Sequence, residues 1–153
     1  MIECTFELNN KAMSTLKCGA ISFSAFSGLG SKVNQRASVC MAGSGAIPRG
    51  TYYIFDRQSG GLLGSLRDMF NDHSNWFALL YTDDNKIDDE AYCDHVIRGN
   101  FRLHPKGVVG ISKGCITIES KTDFQKLKTM LKSSAPVSVP GSTLKAYGKV
   151  VVR

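Results

Sequence analysis

Phe101-Arg102-Leu103-His104-Pro105-Lys106-Gly107-Val108-Val109-Gly110-Ile111-Ser112-Lys113-Gly114-Cys115-Ile116-Thr117-Ile118 holds two short apolar or β-branched runs separated by a stretch rich in glycine. It reads as a strand ending at His104, a loop that turns back, and a second strand opened by Cys115. Runs of the same kind recur on both sides: Cys4–Leu8, Gly19–Phe26, Thr51–Asp56, Trp76–Tyr81, Val96–Leu103, Cys115–Glu119 and Leu144–Val152, with Gly, Ser, Asn and Asp clusters between them. Helical periodicity is confined to Thr122–Lys132, where Phe124, Leu127 and Leu131 share one face and Ser120 or Thr122 can cap the start, and to a weaker stretch, Leu62–Phe70. The pattern predicts a mostly β chain of the α+β class with one or two short helices.

The 153 residues, 42% of them hydrophobic, fit one domain spanning 1–153, without internal repeats or a Pro-rich linker. A chain of this length hides roughly 68–70% of its unfolded surface, enough for a core without metals or disulfides. The longest apolar run, Trp76 to Tyr81, has six residues. A membrane helix needs about 20, so no membrane insertion is expected. The start, Met1-Ile2-Glu3-Cys4-Thr5-Phe6-Glu7-Leu8, has two acids and no basic segment followed by an apolar one, unlike a secretory signal peptide. Charge is divided along the chain. Residues 1–97 carry 8 basic and 11 acidic side chains, whereas 98–153 carry 11 basic and 2 acidic. A field of that sign in the C-terminal third favours anionic partners: nucleic acid, cell-wall carboxylates or an acidic protein.

Several familiar site patterns fail on spacing. Asp83-Asp84-Asn85-Lys86-Ile87-Asp88-Asp89-Glu90 has Ile87 where a calcium loop needs an oxygen ligand and Asp88 where it needs Gly, and reads as a solvated acidic turn. Gly28-Leu29-Gly30-Ser31-Lys32 lacks the spacing that wraps a phosphate. His73, His95 and His104 do not combine with the cysteines into two closely spaced ligand pairs, so neither a metal nor another cofactor is expected. Five cysteines (Cys4, Cys18, Cys40, Cys93 and Cys115) are an odd number, leaving at least one unpaired within the chain; the four besides Cys115 allow three pairings.

The quoted segment supplies the parts of thiol catalysis. A free thiol is only a few per cent ionised at neutral pH and needs a base or a cation beside it. His104 is a candidate base for Cys115, Ser112 a candidate hydrogen-bond partner of the loop or the imidazole, and the N–H groups of Gly114 and Cys115 a candidate oxyanion hole. From residue types alone, Cys115 reads more readily as a buried strand cysteine and His104 as a strand cap.

The His104-to-Cys115 segment resembles the L,D-transpeptidase (YkuD-type) signature, in which a histidine precedes a Ser/Thr-x-Gly-Cys nucleophile. Ile47-Pro48-Arg49-Gly50-Thr51-Tyr52-Tyr53-Ile54 resembles the strand entry of the same fold. Together with Phe23-Ser24-Ala25-Phe26-Ser27-Gly28, Trp76-Phe77-Ala78-Leu79, Ile87-Asp88-Asp89 and Arg98-Gly99-Asn100-Phe101-Arg102-Leu103-His104-Pro105, these motifs make most of the chain similar to the L,D-transpeptidase-like toxic effectors of bacterial type VI secretion. Housekeeping members read Ser-His-Gly-Cys after a longer loop. Here Lys113 replaces that histidine and ten residues separate His104 from Cys115, which favours the effector branch.

The resemblance implies an L,D-transpeptidase-like β-sandwich or barrel, and an antibacterial toxin that forms a Cys115 thioester on peptidoglycan tetrapeptides. Hydrolysis of the thioester is L,D-carboxypeptidase activity; a D-amino acid taking it gives exchange. Arg102, two residues before His104 and so on the same strand face, is the candidate partner of substrate carboxylates or else a cross-strand surface pair. Ser27, Tyr52 and Trp76 are weaker substrate-binding candidates, Trp76 reading also as core. Expected partners are the tetrapeptide, a cognate immunity protein and a secretion spike or adaptor, with synthesis in the cytoplasm and action in the periplasm of the target cell. The alternative is a non-catalytic basic module binding cell wall or nucleic acid; against nucleic acid, no aromatic platform interleaves the basic residues. Papain-like cell-wall amidases are disfavoured because every histidine here precedes Cys115.

Overall fold

A computed structural model describes residues 1–57, 76–83, 86–107 and 113–153. In chain order the strands are β1 Ile2–Phe6, β2 Ser14–Cys18, β3 Ile21–Phe26, β4 Gly50–Asp56, β5 Phe77–Asp83, β6 Lys86–Asp88, β7 Glu90–Cys93, β8 Val96–Gly99, β9 Arg102–Pro105 and β10 Ile116–Ile118. Helix α1, Lys121–Lys132, follows, then β11 Val137–Ser138, β12 Lys145–Ala146 and β13 Gly148–Val152. Strands β4, β13, β1, β2, β3, β10, β9 and β5 pair in that order, and β5 pairs back onto β4, so eight strands close into a barrel; β6 extends from β5. Closure removes the unpaired edges that an open sheet would present. The mostly β, barrel-type expectation therefore holds.

Alternate residues of every barrel strand feed one core: Cys4 and Phe6, Leu16 and Cys18, Phe23 and Ala25, Tyr52 and Ile54, Phe77 and Leu79, Leu103, Ile116 and Ile118, Val150 and Val152. Period-2 alternation dictates this, because successive side chains point to opposite faces. Helix α1 adds Phe124, Leu127 and Leu131 to the same core, and the Ser120 side chain accepts from the Asp123 N–H at its start, as the periodicity predicts. The Leu62–Phe70 helix lies outside the described residues. Ala78 and Leu80, on the other face of β5, pack with Phe55, Val139 and Ala146 in a second cluster beneath the β11–β12 pair.

Three sequence expectations change. Val96–Leu103 is two strands, broken where Asn100 takes a left-handed φ of 58°. Part of the acidic run is strand: Asp88 belongs to β6, Glu90 to β7, and Asp89 between them faces Arg102. The loop after His104 does not return as a hairpin, since β9 and β10 run parallel, with Leu103 opposite Ile116 and His104 opposite Thr117.

Two disulfides form, Cys4–Cys18 across the β1–β2 pair and Cys40–Cys93 from the loop before β4 to the β7–β8 hairpin; Cys115 remains a thiol. The bridged cysteines are 14 and 53 residues apart. Chain-entropy arithmetic therefore assigns about 3 kcal/mol to the first and about 4 kcal/mol to the second. Urea unfolding of Cys4→Ala/Cys18→Ala and Cys40→Ala/Cys93→Ala proteins is expected to show both losses, the second at least as large; a Cys40/Cys93 variant as stable as the parent would contradict the bridge.

Candidate active site

Parallel pairing of β9 with β10 decides which side chains meet. His104 lies opposite Thr117, so residues two positions earlier, Arg102 and Cys115, share that face. Leu103, Ile116 and Ile118 point the other way, into the core. Cys115 thus stands beside Arg102 and diagonal to His104.

His104 is 3% exposed. Its Nδ1 lies 2.8 Å from the carbonyl oxygen of Pro105, which can only accept, so Nδ1 carries the proton and Nε2 is the basic nitrogen. Thr117 Oγ1 sits 3.3 Å from Nε2 and is the donor in that contact. The indole of Trp76 stacks on the imidazole, centroids 4.2 Å apart and planes 19° from parallel. Two hydrogen bonds and a stacked ring fix the imidazole orientation, the condition a general base must meet.

The Cys115 thiol is half-buried and lies 3.8 Å from the Asn100 carbonyl oxygen. Burial pushes its pKa up to about 11; a backbone hydrogen bond from Arg102 and the charges of Arg102 and Arg98 pull the other way, and Asp89 adds to the rise. The resting group at neutral pH is the thiol, so attack on a carbonyl requires a base to take its proton as the bond forms. Gly114, buried just before it, has φ of 97°, a left-handed conformation that favours glycine.

Arg102 is buried, and its guanidinium grips Asp89 at both ends, Nη1–Oδ1 3.0 Å and Nη2–Oδ2 3.3 Å, with Nη1 also donating to the Phe101 carbonyl. Arg102 is thus held in an ion pair with a residue of the β6–β7 turn rather than with a surface neighbour across a strand pair. Ser27 and Tyr52 are fully buried: Ser27 Oγ accepts from the Ile47 N–H at 2.8 Å and Tyr52 donates to the Pro48 carbonyl at 2.8 Å. Both tie down the segment leading into β4. Trp76, read ambiguously from its apolar run, is half-buried against His104. Ser112 and His73 lie outside the described residues. No group of His, Cys, Asp and Glu suited to a metal ion occurs among the described residues.

Thr117, Asp89 and Arg98 are the site neighbours not singled out from the sequence. Thr117 had a signal, its position two residues beyond Cys115 on a strand. Asp89 was concealed among other acids, and Arg98, though it opens a motif of the resemblance, gave no sign of its burial, which depends on a loop 52 to 59 residues earlier.

A family model described as the Tlde1 domain matches residues 21–142. The chain belongs to this family, one of type VI secretion effectors. No curated protein and no solved structure matches it significantly.

Two measurements follow from this geometry. Alkylation of Cys115 by iodoacetamide is expected to accelerate by nearly tenfold per pH unit above neutrality and to level off only near pH 11. Because the unfolded thiol ionises near ~8.5, burial of the protonated form stabilises the fold fully below that pH. That contribution is lost as pH rises through about 11, and the loss is absent in Cys115→Ala. An alkylation plateau near neutrality would contradict both. Thr117→Val removes a hydrogen bond from a buried imidazole nitrogen and is expected to cost about 0.5–1.5 kcal/mol in urea unfolding.

Proposed function

We propose that the protein is an antibacterial effector that attacks peptidoglycan stem peptides through a thioester on Cys115. The observation that carries this reading is the shared face of β9 and β10: the one cysteine outside the disulfides lies diagonal to a histidine whose basic nitrogen is defined by its Nδ1 contact. Membership of a type VI effector family supports it.

The substrate is a tetrapeptide whose scissile amide joins the L-centre of meso-diaminopimelate to the terminal D-Ala. His104 Nε2 takes the thiol proton as Sγ attacks the carbonyl carbon, and the N–H groups of Gly114 and Cys115 hold the oxyanion. Collapse breaks the C–N bond, the imidazolium protonates the departing D-Ala amine, and a thioester remains. Water then releases the tripeptide, which is L,D-carboxypeptidase chemistry; a D-amino acid amine regenerates a tetrapeptide with a new terminus, which is exchange. A thiol with a raised pKa suits this base-assisted sequence. Arg102, tied to Asp89, lies beside the thiol and stiffens the start of β9.

On the same reading the protein is made in the producing cell's cytoplasm, loaded onto a secretion spike or adaptor, and acts in the target's periplasm. There the Cys4–Cys18 and Cys40–Cys93 bridges would persist. A cognate immunity protein would cover the Cys115 face and bring acidic residues to the cationic C-terminal third. A basic binding module is the weaker reading, because Arg102, Lys132 and Lys149 are spent on Asp89, Asp56 and Glu3 from the acidic part of the chain.

Incubating the protein with purified muropeptides, with and without excess D-Met, tests the reading by mass spectrometry. Loss of D-Ala or its replacement by D-Met is expected from the wild type, with a drop of at least about a thousandfold in Cys115→Ala and His104→Ala. Unchanged tetrapeptides from a folded wild type would refute it.

A further inference from the structure

Arg98 lies on β8 opposite Ala91 and is only 3% exposed. Its guanidinium is spread over three backbone carbonyls of the loop before β4: Nη1 donates to Val39 and, at 3.2 Å, to Ala46, while Nη2 donates to Gly45 at 3.2 Å. The same group lies over the Phe101 ring, 5.7 Å from its centroid. It also presses on the residue before the nucleophile. A Cβ added to Gly114 would fall 2.3 Å from Arg98 Nη2 and 3.2 Å from Phe101 Cε1. The guanidinium therefore occupies the space beside Gly114 that any side chain would need.

The two buried arginines near Cys115 differ in charge balance. Arg102 is neutralised by Asp89. Among the described residues Arg98 has no carboxylate within ion-pair distance, and carbonyl dipoles and the Phe101 ring surround a cation whose desolvation is costly. Burial lowers its pKa, and the Cys115 charge is among the groups that oppose this.

We propose that Arg98 is a positioning residue for the nucleophile: it clamps the Gly114–Cys115 backbone against the loop before β4 and supplies the positive charge that meets the Cys115 thiolate as it forms. The role rests on Cys115 being the nucleophile. It explains how a half-buried thiol beside a carboxylate becomes anionic during attack, and why Ser27, Ser38 and the Cys40–Cys93 bridge hold that loop so firmly: Ser27 Oγ accepts from Ile47 N–H, Ser38 Oγ accepts from Ala46 N–H, and Cys93 starts the hairpin turn before β8.

The test compares Arg98→Met and Arg98→Lys with the wild type. Thiolate is followed by ultraviolet absorbance, each protein referenced to its own Cys115→Ala derivative, and folding by circular dichroism. Arg98→Met is expected to raise the thiol midpoint by about one unit, a tenfold loss of thiolate at about pH 9. Arg98→Lys keeps the charge but not the planar fork that spans three carbonyls; its midpoint should stay within about a third of a unit while kcat on tetrapeptide falls on the order of tenfold at unchanged KM. An unchanged midpoint in folded Arg98→Met overturns the electrostatic role, and a wild-type kcat in Arg98→Lys overturns the clamp. Should Arg98→Met not fold, Arg98→Lys decides alone, through its kcat. The thiolate readout uses no peptidoglycan. A protein inactive on muropeptides whose midpoint still moves would refute the proposed function and spare Arg98, whereas an unmoved midpoint in an active enzyme would refute Arg98 alone.

Discussion

The parallel pairing of β9 with β10 governs both the closed barrel and its site. These two short strands fill the gap between β3 and β5, so without them the sheet would end in two open edges. The same register sorts side chains into two sets. Leu103, Ile116 and Ile118 enter the core, while Arg102, His104, Cys115 and Thr117 collect on the opposite face. A one-residue slip would exchange the sets, placing a histidine and an arginine in an apolar interior and losing three core side chains. The energetic demand of the core thus fixes the position of the chemistry.

That coupling also explains which features were legible in the sequence. Alternation in Thr51–Asp56, Gly19–Phe26 and Leu144–Val152, and helical spacing in Phe124, Leu127 and Leu131, are local consequences of burial on one face, and the strands and helix stand close to where the pattern puts them. The thiol and the imidazole were identifiable because few residue types can perform nucleophilic attack and proton transfer. Strand direction was not. A glycine-rich loop of ten residues is compatible with a hairpin, whereas β10 in fact pairs parallel with β9 and antiparallel with β3 on its other side.

Residues whose state depends on distant partners were the least legible. Asp89 sits in a run of acids, yet Arg102 draws it into a part-buried pair. Tyr52 and Ser27 looked like substrate contacts from their place in motifs, whereas burial commits their hydroxyls to the backbone at Pro48 and Ile47. The cysteine pairs followed the same rule: Cys4 and Cys18 become neighbours only through β1–β2 register, and Cys40 and Cys93 only through a contact across 53 residues.

The site's electrostatics give these long-range contacts a common purpose. A buried thiol resists ionisation, and burial dominates at Cys115. A preformed thiolate–imidazolium pair would need the environment to favour charge before substrate arrives. Here burial favours the neutral thiol instead, while contacts with Pro105 and Thr117 orient the imidazole. Charge then develops only during attack, when the fixed dipoles and cations around Gly114 and Cys115 act on it without having to reorganise. Such preorganisation requires a rigid frame, which the closed barrel provides on one side and the disulfide-tethered loop around Arg98 provides on the other.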